Sequence, residues 1–162
     1  MATYAEALLD LYSGEVLGEA VYSALVAAGR NDDERLKWGT LLQLEAETKA
    51  WLRAAMVAHD VSIAEQTADR EKGIAIGEQF KTLSWMAQMQ ALHDAITDEF
   101  LPRYRSHADA ARARSATAEE AVCRYMVEHE QAQVDFTKRE LAGEGSRSLE
   151  PVVKHLKYPI QR

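Results

Sequence analysis

The chain is dominated by long amphipathic stretches in which apolar residues recur every three or four positions. This spacing is typical of α-helices that bury one face, and it covers about residues 4–28, 32–59, 78–104 and 117–141. Asn-Gly and Asp-Gly turns and runs of β-branched residues are missing, so strand signals are weak. The pattern therefore predicts an all-α protein with four long helices.

Capping residues mark the ends of these helices. Gly29 suits the end of the first helix, and Asn31, followed by Asp32 and Asp33, suits the start of the second. Thr117 with Glu120 three residues later predicts a capping box at the start of the fourth helix. That helix is expected to end at Gly143.

Two stretches are predicted to be mainly loop. Residues 60–77 contain Gly73 and Gly77 and are expected to hold only a short helix near residues 63–69. Residues 105–115 are polar and basic, and they follow Pro102, which indicates that the third helix ends near residue 104. We predict an antiparallel four-helix bundle over residues 1–145, with residues 146–162 as an extended C-terminal strap packed on it.

Composition narrows the class of protein. The chain has 162 residues, 47% hydrophobic and 28% charged, which fits one globular domain. The net charge of −7 argues against nucleic-acid binding. A single cysteine, Cys123, excludes an internal disulfide framework. Because we see neither a signal peptide nor an apolar run long enough to span a bilayer, we expect a cytoplasmic protein without a membrane partner.

Several carboxylates fall inside the apolar stripes. Glu45 lies among the leucines of the second helix, Glu130 lies in the apolar face of the fourth, and Glu19 lies in that of the first. Glu15 borders the same face as Glu19. Burying an unpaired carboxylate costs several kcal/mol, so inward glutamates on three helices predict either a metal centre or a proton-sharing hydrogen-bonded network.

The segments GEVLGEAVYSAL, LLQLEAETKAWL and YMVEHEQAQVDFTKREL resemble the ferritin-like superfamily of di-iron carboxylate bundles. The resemblance implies a ferritin-like four-helix bundle. It departs from the family pattern where Thr48 and Gln133 replace the histidines of the two Glu-x-x-His motifs. The implied ligands and substitutes are Glu19, Glu45, Glu130, a carboxylate of the third helix (Glu99, with Asp94 second), and His93 and His129 as replacement nitrogen donors.

Three functional hypotheses follow. Because both histidines are replaced, the first is a metal-free relative without a cofactor, which binds a small ligand or acts as an interaction module. In that form the glutamates join a hydrogen-bonded core with Tyr12, Tyr22, Thr48 and Gln133. The alternative is a carboxylate-bridged di-metal oxidase or oxygenase that uses iron or manganese. The third is a purely structural homo-oligomer, and we expect a homo-oligomer, a dimer, in any case.

Overall fold

The computed structural model describes residues 3–159. Over this range the chain is helical and contains no strand, which confirms the all-α prediction. The elements are α1 (Tyr4–Ala28), α2 (Asp32–Ala58), α3 (Thr67–Phe80), α4 (Trp85–Ala95), a π-helical turn (Ile96–Phe100), α5 (Leu101–Ala113), α6 (Thr117–Leu141), a 3₁₀ turn (Gly145–Arg147) and α7 (Glu150–Val153).

Side-chain caps begin the first two helices. At α1, Thr3 and Glu6 form a capping box in which the Glu6 amide donates to Thr3 Oγ1 at 3.2 Å and the Thr3 amide donates to Glu6 Oε2 at 2.7 Å. At α2, the amide of Glu34 donates to Asn31 Oδ1 at 2.9 Å, as the sequence predicts. The start of α2 is therefore fixed by a local signal.

The prediction of a mainly irregular connection over residues 60–77 is wrong. Most of its second half belongs to α3, which continues to Phe80 before a short break leads to Trp85. Gly73 and Gly77 do not interrupt this helix. They are one turn apart on the face that packs against α1, where their lack of a side chain lets the two helices approach closely.

The third predicted helix also has different limits. It begins at Trp85 instead of residue 78, and it continues through Pro102 to Ala113. The π-helical turn immediately precedes the proline, and the amide of Leu101 bonds the carbonyl of Ile96. A wider turn at this point accommodates a residue that has no N–H to donate, so the helix continues where a break was predicted.

The polar stretch predicted as a loop before α6 is the second half of α5, which buries Ala108 and Ala111 and exposes its charged residues. The predicted capping box at Thr117 is also wrong. Ala116 occupies the N-cap position, and the Glu120 carboxylate accepts a hydrogen bond from Arg112 Nε at 3.0 Å. Glu120 therefore joins α6 to the end of α5.

The described part of the C-terminal segment is not extended as predicted, because it forms the 3₁₀ turn and α7. Leu149, Val152 and Leu156 are buried in the same apolar cluster as Trp38. α7 contacts α6 and α2. Residues 160–162 of the predicted strap lie outside the described range.

Helix packing pairs α1 with α2 and α5 with α6, while α4 packs on α6 and α3 packs on the other side of α1. The buried apolar residues form two clusters, one around Trp38 and Phe136 and one around Leu8 and Met126. Along α1, α2 and α6 the residues between these clusters include buried polar side chains. A polar layer therefore lies across the core.

None of the helices within residues 3–159 has the length and the apolar composition needed to cross a membrane.

Candidate metal centre

The polar layer contains three carboxylates that converge on one nitrogen of the His129 imidazole, which makes a cluster of four ionisable side chains. His129 Nε2 lies 3.2 Å from Glu45 Oε1, 3.5 Å from Glu15 Oε1 and 3.9 Å from Glu130 Oε1. The side chains come from α1, α2 and α6, and all four residues are buried. One ligand atom from each of Glu15, Glu45 and His129 lies within 4.8 Å of the other two, which is the spacing of atoms that share a cation.

Three neutral polar side chains surround this cluster. Gln133 Nε2 donates to Glu45 Oε1 at 2.9 Å, and the Tyr22 hydroxyl donates to Gln133 Oε1. On the other side of the imidazole ring, Thr48 Oγ1 lies 3.2 Å from His129 Nδ1. Thr48 and Gln133, which follow Glu45 and Glu130 by three residues, are both in direct contact with the cluster.

Glu15 is the least satisfied member of the cluster. Its side chain is fully buried, and as an ionised carboxylate it has no hydrogen-bond donor for either oxygen among the described residues. Its contact with the Glu45 carboxylate is a hydrogen bond only when one of the two groups holds a proton. Its 3.5 Å separation from His129 Nε2 is too long for a good hydrogen bond. A buried polar group without a partner is rare in a native protein and requires an explanation.

Glycines on α1 make room for the site. A Cβ added at Gly18 would overlap the end of the Glu45 side chain and would lie 2.8 Å from its Cδ. One turn earlier, a Cβ at Gly14 would overlap the Tyr104 hydroxyl, whose oxygen is also buried without a hydrogen-bond partner among the described residues. The two glycines therefore let Glu45 and Tyr104 contact the α1 backbone directly.

Burial and mutual repulsion shift the protonation of the cluster. Desolvation, together with the charges of Glu45 and Glu130, holds the pKa of Glu15 well above its usual range. Desolvation is also the main cause that raises the pKa of Glu130 to about 8. For His129 burial acts to lower the pKa, but the adjacent Glu45 and Glu130 outweigh it, and the pKa is raised. The site therefore retains protons in place of full negative charge.

The structure places several predicted site residues outside the cluster. Glu19 is partly exposed and forms ion pairs with Lys49 and with Arg70, the latter at 3.0 Å. Glu99 is exposed and lies 3.6 Å from Arg103 Nη1. Asp94, the second choice for the third helix, is exposed and accepts a hydrogen bond from Gln90 Nε2 at 2.7 Å.

Two further predicted residues have other partners. His93 Nδ1 lies 3.0 Å from Thr137 Oγ1, and the Tyr12 hydroxyl donates to the carbonyl of Ile63 at 2.9 Å. The residues that the structure does bring together from the predicted set are Glu45, Glu130, His129, Tyr22, Thr48 and Gln133.

Sequence reasoning missed Glu15 as the member contributed by α1. The reason is that α1 is covered on two sides, by α2 and by α3, so its apolar positions do not define a single inward direction. The available signal was Glu15 beside Gly14 and Gly18, since small residues one turn apart on a helix indicate that another group approaches its backbone.

A cavity of about 70 Å³ lies next to the cluster. Its walls are mainly apolar side chains of α1, α3, α4 and the π-helical turn, and the polar residues Tyr22, Glu45, Glu130 and Gln133 also line it. The cluster is therefore in contact with a small, mainly apolar pocket.

Comparison with known proteins leaves the site to be interpreted from its own geometry: no family model, curated protein or solved structure matches this chain.

Proposed function

We propose that the protein binds a divalent cation through Glu15, Glu45 and His129, with Glu130 as a fourth group at the same site. The observation that carries the proposal is the Glu15 carboxylate, which is fully buried, has no hydrogen-bond donor among the described residues when ionised, and faces a second carboxylate and an imidazole. Carboxylate oxygen together with imidazole nitrogen is a donor set that suits Fe²⁺, Mn²⁺ and Zn²⁺.

Charge supports the same conclusion. If the three buried carboxylates around the imidazole were all ionised, a protonated imidazole would balance only one of them, so the site must either keep protons or bind a cation. Uncompensated buried charge costs several kcal/mol unless the group is neutralised or paired. A divalent cation would supply the missing positive charge to the three helices at once.

The hydrogen bonds around His129 also favour a cation. Glu45 Oε1, Gln133 Nε2 and His129 Nε2 form a triangle with sides of 2.9, 3.0 and 3.2 Å. If the Gln133 amide donates to both other atoms, His129 Nε2 carries a lone pair that faces the Glu45 carboxylate. If Nε2 carries a proton instead, it faces the N–H of Gln133. The triangle therefore cannot make three good hydrogen bonds, whereas a cation would use the lone pairs of both Nε2 and the carboxylate.

The surrounding residues have defined tasks in this proposal. A Nδ1–H that donates to Thr48 directs the lone pair of His129 Nε2 toward the carboxylates. Gln133, held by the Tyr22 hydroxyl, orients Glu45. Iron or manganese would supply one-electron redox chemistry at the site, and the protein would contribute the ligands, their orientation and an apolar surrounding.

A ferritin-like arrangement belongs to the same proposal. In this proposal the four long helices of such a bundle would be α1, α2, the α4 to α5 segment and α6, and three of these segments supply the cluster. The α4 to α5 segment supplies no carboxylate to the cluster and instead brings the Tyr104 hydroxyl against Gly14. Four donor residues suit one cation better than the two metals of a di-iron site.

A metal-free network is the second candidate, and a specific observation favours it. Glu45 accepts a hydrogen bond from Gln133, which is itself held by Tyr22, as the metal-free hypothesis requires. A raised pKa, about 8 for Glu130, would keep part of the cluster neutral without a cation. In this form the protein would use the cluster as a hydrogen-bonded core beside the cavity.

The test is the metal content of protein purified without a histidine tag or chelator and again after anaerobic loading with Fe²⁺ or Mn²⁺. We expect about one equivalent of metal, lost in both Glu15→Gln and Glu45→Gln. Glu128→Gln, an exposed position on α6 next to His129, is the matched control and should keep the metal. A wild-type protein that binds no metal under either condition would overturn the proposal and leave the metal-free network.

A further inference from the structure

We infer that the cavity beside the cluster binds a small neutral molecule with an apolar body and one hydroxyl group. The inference deepens the proposed function and rests on it in one respect, since the bound cation is what makes a neutral ligand preferable to a positively charged one. The cavity itself does not depend on a bound cation, because it is formed by the packing of the helices around it.

The side chains that form most of the cavity lining favour a ligand with an apolar body. Leu17 and Val21 of α1 form one side of the cavity, and Ile76 and Phe80 of α3 form the side next to it. The remaining wall comes from the end of α4 and the π-helical turn, including Ala95. None of these side chains has a polar atom. The part of a ligand that contacts them therefore binds best if it is hydrocarbon.

The remaining lining determines where a polar group would bind. Glu45, Glu130 and Gln133 all line the cavity and all belong to the polar layer that includes the proposed site. An ionised carboxylate accepts hydrogen bonds and a protonated one also donates, and a hydroxyl group is the simplest group that can pair with either form. A ligand carboxylate would have to compete with Glu45 and Glu130, which already supply negative charge at this end of the cavity.

Size and charge narrow the ligand further. An apolar cavity of about 150 Å³ is known to hold benzene, so a cavity of about 70 Å³ suits a molecule of only a few non-hydrogen atoms. With a cation bound to Glu15, Glu45 and His129, an ammonium group would meet a second positive charge. A short alcohol has the size, the donor and the neutrality that this cavity selects.

The natural reporters are the isoleucine methyl groups. Of the five isoleucines in the sequence, Ile76 and Ile96 line the cavity, while Ile63 and Ile74 are 44% and 47% exposed. The experiment titrates 1-propanol, propylammonium and propanoate into isoleucine-methyl-labelled protein. Each titration uses chelator-treated protein and protein loaded with Zn²⁺, a diamagnetic ion, and follows the methyl NMR signals.

We expect 1-propanol to shift the Ile76 and Ile96 signals saturably in the loaded protein while the Ile63 and Ile74 signals stay in place. Ala95→Leu fills the cavity and should weaken this binding at least tenfold without removing the metal. Ala50→Leu adds the same volume at an exposed position of α2 and should leave the binding unchanged.

The remaining outcomes decide against one claim or the other. Shifts of all isoleucines in proportion to added alcohol, or no shift at all, would overturn the cavity inference whether or not metal binds. Stronger binding of either propylammonium or propanoate than of 1-propanol to the loaded protein would overturn the preference for a neutral ligand. Saturable 1-propanol binding by a protein that takes up no metal would leave the cavity intact and refute the cation site.

Discussion

Gly18 of α1 faces the carboxylate of Glu45 on α2 so closely that a Cβ on residue 18 would lie 2.8 Å from Glu45 Cδ. The atoms in the way belong to the end of a side chain, so an added methyl group displaces the carboxylate more readily than it separates the helices. The absence of a side chain at Gly18 therefore matters more for the position of the Glu45 carboxylate than for the packing of α1 against α2.

Gly18→Ala should separate these two effects. We expect metal affinity to fall at least about tenfold, as it does when a ligand is displaced. The free energy of unfolding should change by less than about 1 kcal/mol, because the better helix propensity of alanine offsets the local clash. Metal titration and urea unfolding of the chelator-treated protein measure the two quantities.

Gly39→Ala is the matched control for that variant. Gly39 lies within α2, and a Cβ built there meets no atom within 4 Å. We expect a gain in stability of about 0.5–1 kcal/mol from helix propensity alone and unchanged metal affinity. Equal metal affinities for the two variants would contradict the role assigned to Gly18.

Gly73→Ala tests the docking of α3. An added Cβ would overlap the Leu17 carbonyl oxygen and lie 2.7 Å from Ala20 Cβ, both of which belong to the rigid body of α1. We therefore expect a loss of about 1–3 kcal/mol, measured by urea unfolding, with faster amide hydrogen exchange in α3. Unchanged stability and exchange would show that α3 does not need this close contact.

An ion-pair network next to the site should contribute a pH-dependent part of the stability. Hydrogen bonds from Arg70 and Lys49 lower the pKa of Glu65 from its ordinary value to about 2. A lowered pKa means that the folded state favours the ionised form, so this stabilisation is present above about pH 4.5 and is lost as the pH falls toward 2.

Glu65→Gln removes this contribution. The difference in urea midpoint between wild type and variant should therefore be larger at pH 7 than at pH 3. Glu71→Gln, at an exposed position of α3, controls for the loss of one negative charge. A difference that is the same at both pH values would contradict the assignment of the low pKa to Glu65.

A buried ion pair between Lys37 and Glu140 joins α2 to α6 at a distance from the candidate site. Lys37 Nζ lies 2.7 Å from Glu140 Oε1 and 2.6 Å from Asp33 Oδ2, and Trp85 Nε1 donates to Glu140 Oε2 at 2.7 Å. Lys37→Met leaves the buried Glu140 carboxylate without its cation, and we expect a loss of about 3–5 kcal/mol.

Thermal and urea unfolding measure this loss, and the double variant Lys37→Met/Glu140→Gln should recover part of it because the buried charge is then removed as well. Lys72→Met, at an exposed position of α3, should have little effect. If the double variant were no more stable than the single one, the loss would come from side-chain packing instead of charge.

Local signals predicted the beginnings of helices well where a cap was present, as at Asn31. They failed where long-range contacts decide the structure. Gly73 and Gly77 resemble helix breakers in the sequence. They lie within α3, however, where the close approach of α1 leaves no room for a side chain. Pro102 resembles a helix end, but the π-helical turn before it lets the helix continue.

The candidate site was predictable to a similar degree. Glu45 and Glu130 were found because α2 and α6 each bury one clear stripe, whereas α1 is covered on two sides and its inward carboxylate was assigned to Glu19 instead of Glu15. Which of two carboxylates one turn apart enters the core depends on where Lys49 and Arg70 lie, since they hold Glu19 outside the cluster. That position is set by the tertiary structure.

The polar layer also has a consequence for how the chain holds together. Glu15 and Glu45 belong to the first helical hairpin, while His129 and Glu130 lie near the end of the chain, 84 residues beyond Glu45 in the case of His129. A cation or shared proton at this point acts as a reversible cross-link between the two halves of the sequence. Loss of the cation or proton would remove a restraint between the two hairpins. It should therefore change the cooperativity of the unfolding transition as well as the midpoint of that transition.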